Sequence, residues 1–282
     1  MSTAKEALEV SAPYTSLHAL ASLTSNSLET YAAITSPITP TSSEEQISTY
    51  LETLWNSLLL VASQTEWSSL THIKLSNFLQ FLQTGPSPSF LEPEKQELPQ
   101  YNGEEFTWSK LPDLNIYIRS WYNSSPPFSS PPLNGLSFSS NEWVNLNAFL
   151  ANLTRASLQE PNEAIDYSLY AIWSLRALEV PSDALASLDP ADLKAAAVWI
   201  ITARAELHNL CKSNRSYDGN LAVPGEGFKD RDWRGYTLDR WNVWQSAFEE
   251  SLRLEDEKED GDLKLTRMVR QATMAMRMLS AQ

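Results

Sequence analysis

Apolar residues recur along this chain at intervals of three and four, the spacing that gathers side chains on one face of a helix. Ile47, Leu51, Leu54, Leu58 and Val61 form one such stripe, opened by the start signal Ser43-Glu44-Glu45-Gln46. A second helix is predicted from about Ser69 to Gln83, stopping at Gly85-Pro86. Pro112 opens a short one carrying Leu114, Tyr117, Ile118 and Trp121. Further on, Ser139-Ser140-Asn141-Glu142 starts a helix to about Gln159, which Pro161 ends. Others are predicted over Glu163–Leu178 and Asp189–Lys212, from a Thr237 or Asp239 cap through Leu254, and over Gly261–Leu279. Residues 1–43 read as an N-terminal extension with one helix.

The segments between are irregular. Pro86–Gly103 is rich in Pro and Glu, Ser124–Ser140 holds two proline pairs, and Asn214–Gly235 holds four of the eight glycines. No run of alternating residues reads as a strand, and no period of about 20–50 residues recurs. The expectation is an all-α fold. It is a single compact domain over residues 1–282, of about eight to ten helices, with 44–282 as its core and a long Pro-rich surface loop.

Charge and composition narrow the function classes. A net charge of −14 argues against a nucleic-acid partner, which needs clustered Lys and Arg. No apolar run approaches the roughly 18 residues of a membrane helix, so no membrane insertion is expected. One cysteine excludes an internal disulfide and fits a cytoplasmic location, which leaves three Asn-x-Ser/Thr sequons as chance matches. Gly225-Glu226-Gly227 is a G-x-G without a phosphate-loop context. Zinc-ligand spacings and a nucleophile elbow are missing, and His18, His72 and His208 fall on three different predicted helices. No cofactor or metal is expected. The acidic run Glu255–Asp260 reads as a solvated turn between helices.

More informative are polar residues that interrupt apolar stripes. Asn147 and Thr154 share a face with Trp143, Leu146, Leu150 and Leu153. Arg176 follows Ile165, Leu169, Ile172 and Trp173, while Arg204 and His208 lie with Leu193, Ala197, Ile200 and Leu207. Gln245 lies among Leu238, Trp241, Phe248 and Leu252. Converging on aromatic walls, such groups would hold a planar, polar ligand. Singly, each has a plainer reading. Asn147 would be a structural hydrogen-bonder, Arg176 and Arg204 internal salt bridges to residues such as Glu206, Glu179 or Asp166, and His208 a core or rim histidine. Of the ten tryptophans, Trp55, Trp67, Trp173 and Trp199 read as core. Trp121, Trp143, Trp241 and Trp244 adjoin loops or helix starts and are the candidate pocket walls.

The blocks Trp108-Ser109-Lys110-Leu111-Pro112, Trp143-Val144-Asn145-Leu146-Asn147-Ala148-Phe149 and Arg240-Trp241-Asn242-Val243-Trp244 occur in that order. Between the last two lie Tyr170, Arg176-Ala177-Leu178-Glu179 and Ala195-Ala196-Ala197-Val198-Trp199-Ile200. Over residues 44–282 the chain resembles a fungal all-helical family catalogued as a domain of unknown function. It is also similar to the cofactor-free hetero-Diels–Alderases of fungal tropolone–sesquiterpene biosynthesis. That resemblance implies a pericyclase without cofactors. Such a protein dehydrates a hydroxymethyl tropolone or phenol to a quinone methide and clamps it against a terpene alkene, a task of orientation and water exclusion.

In that scheme Arg204 or Arg176 would hold the tropolonate oxygen, His208 would assist dehydration and Asn147 would orient the carbonyl. Trp121, Trp143, Trp241, Trp244 and Gln245 would contact substrate. The partners would be small hydrophobic or aromatic molecules, and a homodimer is compatible. The contrasting expectation is a non-catalytic acidic helical scaffold that holds a partner helix in a Trp-rich groove.

Overall fold

The computed structural model describes residues 4–85, 98–124, 138–258 and 261–280, and they are all-α, as expected. The chain divides into two compact units, residues 1–145 and 146–282. The Pro-rich parts of both predicted loops, 86–97 and 125–137, lie outside the described residues.

In the first unit the extension holds three helices rather than one: α1 (Ala4–Glu9), α2 (Ala12–Ala21) and α3 (Ser27–Thr35). Local capping divides them. Ser11 caps α2, and Asn26 forms a reciprocal capping box with Glu29 at α3. α4 (Glu44–Gln64) begins at the predicted Ser43–Gln46 capping box. Its second half is buried on every side from Leu54 to Ser63, so it is a core helix and not an amphipathic surface one. Its polar and aromatic members are tied down. Trp55 Nε1 donates to Pro112 O at 2.7 Å, and Asn56 Oδ1 accepts from Trp121 Nε1 at 2.7 Å.

α5 (Thr71–Thr84) follows, and then a two-residue hairpin, β1 (Gln100–Tyr101) with β2 (Glu104–Glu105). Its turn is Asn102-Gly103, with φ of 53° and 79°, the left-handed pair that Asn-Gly favours. That dipeptide is the strand signal that helical periodicity hides. α6 (Leu114–Ser124) comes next, and α7 (Ser140–Gln159) spans the division between the units.

In the second unit the helix predicted over 163–178 is broken. Residues 163–165 and 176–178 are 3-10 turns flanking α8 (Ser168–Leu175). Asp166 is extended, its carboxylate accepts from Ser168 N, and Thr154 Oγ1 accepts from Tyr167 N. These side chains satisfy amides that would otherwise continue the helix. α9 (Pro190–Lys212) starts at an Asp189 cap and bends at Ala203, where φ is −127°. α10 (Leu238–Asp256) is capped by Thr237 and packs with α11 (Leu263–Ser280) and α9.

His72 on α5 is fully buried, with Nε2 3.2 Å from Thr65 O. Burial holds its pKa down at about 4, below the usual 6.5. The unfolded chain therefore binds the extra proton first, and stability falls as pH drops from 6.5 toward 4, by up to about 3 kcal/mol. Thermal melts should show this slope, and His72→Gln should flatten it; equal slopes for both proteins would show that His72 does not set it.

Candidate functional site

Burial shows which polar residues face inward. On α8 and the turn after it, the buried positions are Ser168, Ala171, Ile172, Ser174, Leu175, Leu178 and Glu179. Glu179, not Arg176, is therefore the charged residue on that face, because the break at Asp166-Tyr167 shifts the helical phase. On α10 the inner face carries Arg240, Trp241, Trp244, Phe248 and Ser251, which moves Gln245 to the rim.

Arg240 and Glu179 are both completely buried and joined by two hydrogen bonds. Nε reaches Oε1 at 2.6 Å and Nη2 reaches Oε2 at 3.0 Å. Arg240 also donates to Ala222 O, Val223 O and Gly235 O at 2.8–3.2 Å, pinning the middle and the end of the loop after α9. Glu179 accepts from Trp244 Nε1 at 2.7 Å and from Gly225 N at 2.6 Å. Gly225 is required there, since a Cβ would lie 2.6 Å from the Glu179 Cβ. The guanidinium also lies 5.4–5.5 Å from the rings of Trp233 and Trp244. Every charge is matched, so this is a structural rivet.

Asn147 is a second fixed point. It is fully buried, and its Oδ1 accepts from Ser174 Oγ and Trp199 Nε1, each at 2.8 Å, joining α7, α8 and α9. Arg176 is half-buried, and Arg204 makes a 3.4 Å contact to Ile201 O within its own helix. The salt-bridge partners named for them are engaged elsewhere: Glu179 with Arg240, Asp166 with Arg215, Glu206 with Gln159.

Two of the predicted residues do meet. His208 on α9 packs its ring 4.9 Å from that of Trp241 on α10, tilted by 45°. Burial, then the nearby Lys212, lowers the histidine pKa, so the imidazole is neutral at pH 7 and can accept a proton. Arg204 lies one turn earlier on α9 and Gln245 one turn later on α10. In the first unit Trp121 and Trp143 are core residues, 3% and 2% exposed, beside Phe138 and Tyr122 respectively.

The described cavities lie elsewhere. One, of about 280 Å³, belongs to the first unit, between the α3 end, the α5 end and residues 98–109. Tyr31, Phe106 and Trp108 supply aromatic surface; Thr39, Gln83, Thr107 and Ser109 supply neutral polar groups. Gln83 Nε2 holds Ser109 O at 2.9 Å, and Trp108 meets Phe106 edge-on at 5.0 Å. The second is a more open hollow of about 400 Å³ in the other unit, walled by Leu178, Val180, Leu185, Phe228, Val243 and Ala247 with Asp239 and Glu250. Neither lining contains Asn147, Arg176, Arg204, His208 or the four candidate tryptophans. Among the described residues, no group of three or more His, Cys, Asp or Glu could hold a metal ion, and no helix is long and apolar enough to cross a membrane.

With this geometry in place, comparison with known proteins adds one finding. A family model described as "Protein of unknown function (DUF3632)" matches residues 55–248, more than half of the chain. The chain belongs to the DUF3632 family. The match begins at Trp55 of α4 and ends at Phe248 of α10, so its span includes both Glu179 and Arg240. No curated protein and no solved structure matches the chain.

Removing one partner of the rivet leaves a buried charge and several unpaired groups. Arg240→Met should lower unfolding stability by about 3–5 kcal/mol. Adding Glu179→Leu should not restore it, because three carbonyls, the Gly225 amide and the Trp244 indole stay orphaned. Denaturant melts decide this, and recovery in the double variant would reduce the rivet to a simple ion pair.

Proposed function

We propose that the chain binds a small, largely apolar aromatic or terpenoid molecule in the cavity of its first unit. The carrying observation is the aromatic wall of Tyr31, Phe106 and Trp108, set with a few neutral hydrogen-bonding groups. That composition recognises shape and an uncharged oxygen substituent. A charged ligand would lose its hydration there without an ionic partner among these lining residues. At about 280 Å³ the cavity is at the small end of ligand sites and takes one ring system, a second reactant meeting it from the open side.

The finer reading follows the resemblance to hetero-Diels–Alderases. The protein is a cofactor-independent pericyclase of fungal secondary metabolism. It promotes water loss from a hydroxymethyl tropolone or phenol, and then cycloaddition of the resulting quinone methide to a terpene alkene. Holding reactants in register supplies the rate enhancement. His208 packs on Trp241 and lines neither described cavity, so this reading places no step on it. The rival reading, an acidic scaffold, draws on the open hollow of the second unit. Its apolar floor with Asp239 and Glu250 would match a cationic amphipathic helix.

Purified protein incubated with a hydroxymethyl tropolone and a humulene-type alkene should form cycloadduct faster than the protein-free control and with one stereoisomer enriched. The control's rate and isomer mixture in the presence of protein would sink the pericyclase reading.

A further inference from the structure

Gly85 stands at the end of α5 and lines the first-unit cavity together with Tyr31. Its backbone is extended, with φ −61° and ψ 158°, so no left-handed conformation calls for glycine. Space does. A Cβ at this position would lie 2.6 Å from Tyr31 Cε2 and 3.0 Å from Cζ, against an ordinary contact of 3.4–4 Å. The same Cβ would lie 2.8 Å from Phe81 O, the carbonyl that accepts the Gly85 N–H at 2.7 Å. The phenol ring of Tyr31 therefore rests on bare backbone. Phe81 meets the ring edge-on at 5.3 Å and limits where it can go. Tyr31 is 7% exposed, and burial raises its pKa, so the ring presents a neutral hydroxyl.

We infer that Gly85 is a specificity-determining position: by letting Tyr31 lie against the α5 terminus it sets the width of the cavity and hence the largest ligand admitted. This rests on the reading of that cavity as a ligand site. A side chain at position 85 displaces the ring and narrows the space. Shortening Tyr31 widens it and removes the ring collision at position 85, leaving the contact with Phe81 O. The two positions are therefore coupled, and the coupling is selective for ligand size, which loss of overall stability would not produce.

The test uses the full chain and two neutral probes, p-cresol and the larger N-phenyl-1-naphthylamine, with binding read as quenching of tryptophan fluorescence. The naphthylamine-to-cresol affinity ratio should fall about tenfold in Gly85→Ala and rise about tenfold in Tyr31→Ala. The double variant should recover most of the loss seen in Gly85→Ala. Tyr31→Ala keeps the prediction testable if Gly85→Ala does not fold. Binding of both probes with a ratio unchanged in Tyr31→Ala overturns the role of Gly85 and leaves the cavity reading standing. Binding of neither probe to any of the proteins overturns both.

Discussion

The second unit depends on one buried ion pair. Glu179 and Arg240 are fully withdrawn from water, and such a pair is tolerated only when further hydrogen bonds complete both charges. Here the completing partners are long-range: a tryptophan on α10 and four backbone groups of the loop between α9 and α10. The constraint therefore runs from charge to chain path. Because Arg240 needs the carbonyls of Ala222, Val223 and Gly235, the loop must fold back over the start of α10. Because Glu179 needs the Gly225 amide, residue 225 must lack a side chain. The family match, over residues 55–248, includes both charges in its span.

That arrangement separates structural polarity from ligand-facing polarity. Asn147 is the same kind of device in a neutral form, joining three helices through one carbonyl oxygen. The cavity of the first unit has the opposite character: aromatic surface, hydroxyls and an amide, with Tyr31 seated on Gly85. His208 packs on the Trp241 ring and lines neither described cavity.

Helical periodicity carried most of the fold. The Ser43–Gln46 capping box, the Asp189 and Thr237 caps and the extents of α4, α7, α9 and α10 follow from local chemistry, and so they were legible. The inward placement of Asn147 was legible for the same reason, since α7 is unbroken around it. Arg176 and Gln245 were read as inward because their stripes were extended through a break at Asp166 in one case and started a residue out of phase in the other. The corrected stripes, Leu175–Glu179 and Arg240–Trp244–Phe248, were present in the sequence and would have named both charges of the rivet. No local pattern could reveal the cavity. Tyr31, Gly85 and Trp108 come from three separate segments, and only tertiary contact brings them together.

The central claim, that ligand binding belongs to the aromatic cavity and the buried charges belong to the scaffold, is open to one direct measurement. The ten tryptophan indoles each give a separate amide-type resonance in a proton–nitrogen spectrum. On titration with a neutral aromatic probe, the Trp108 signal should shift saturably while those of Trp199 and Trp244, held by Asn147 and Glu179, stay in place. A saturable shift of Trp244 or Trp199 with Trp108 unmoved would contradict the account.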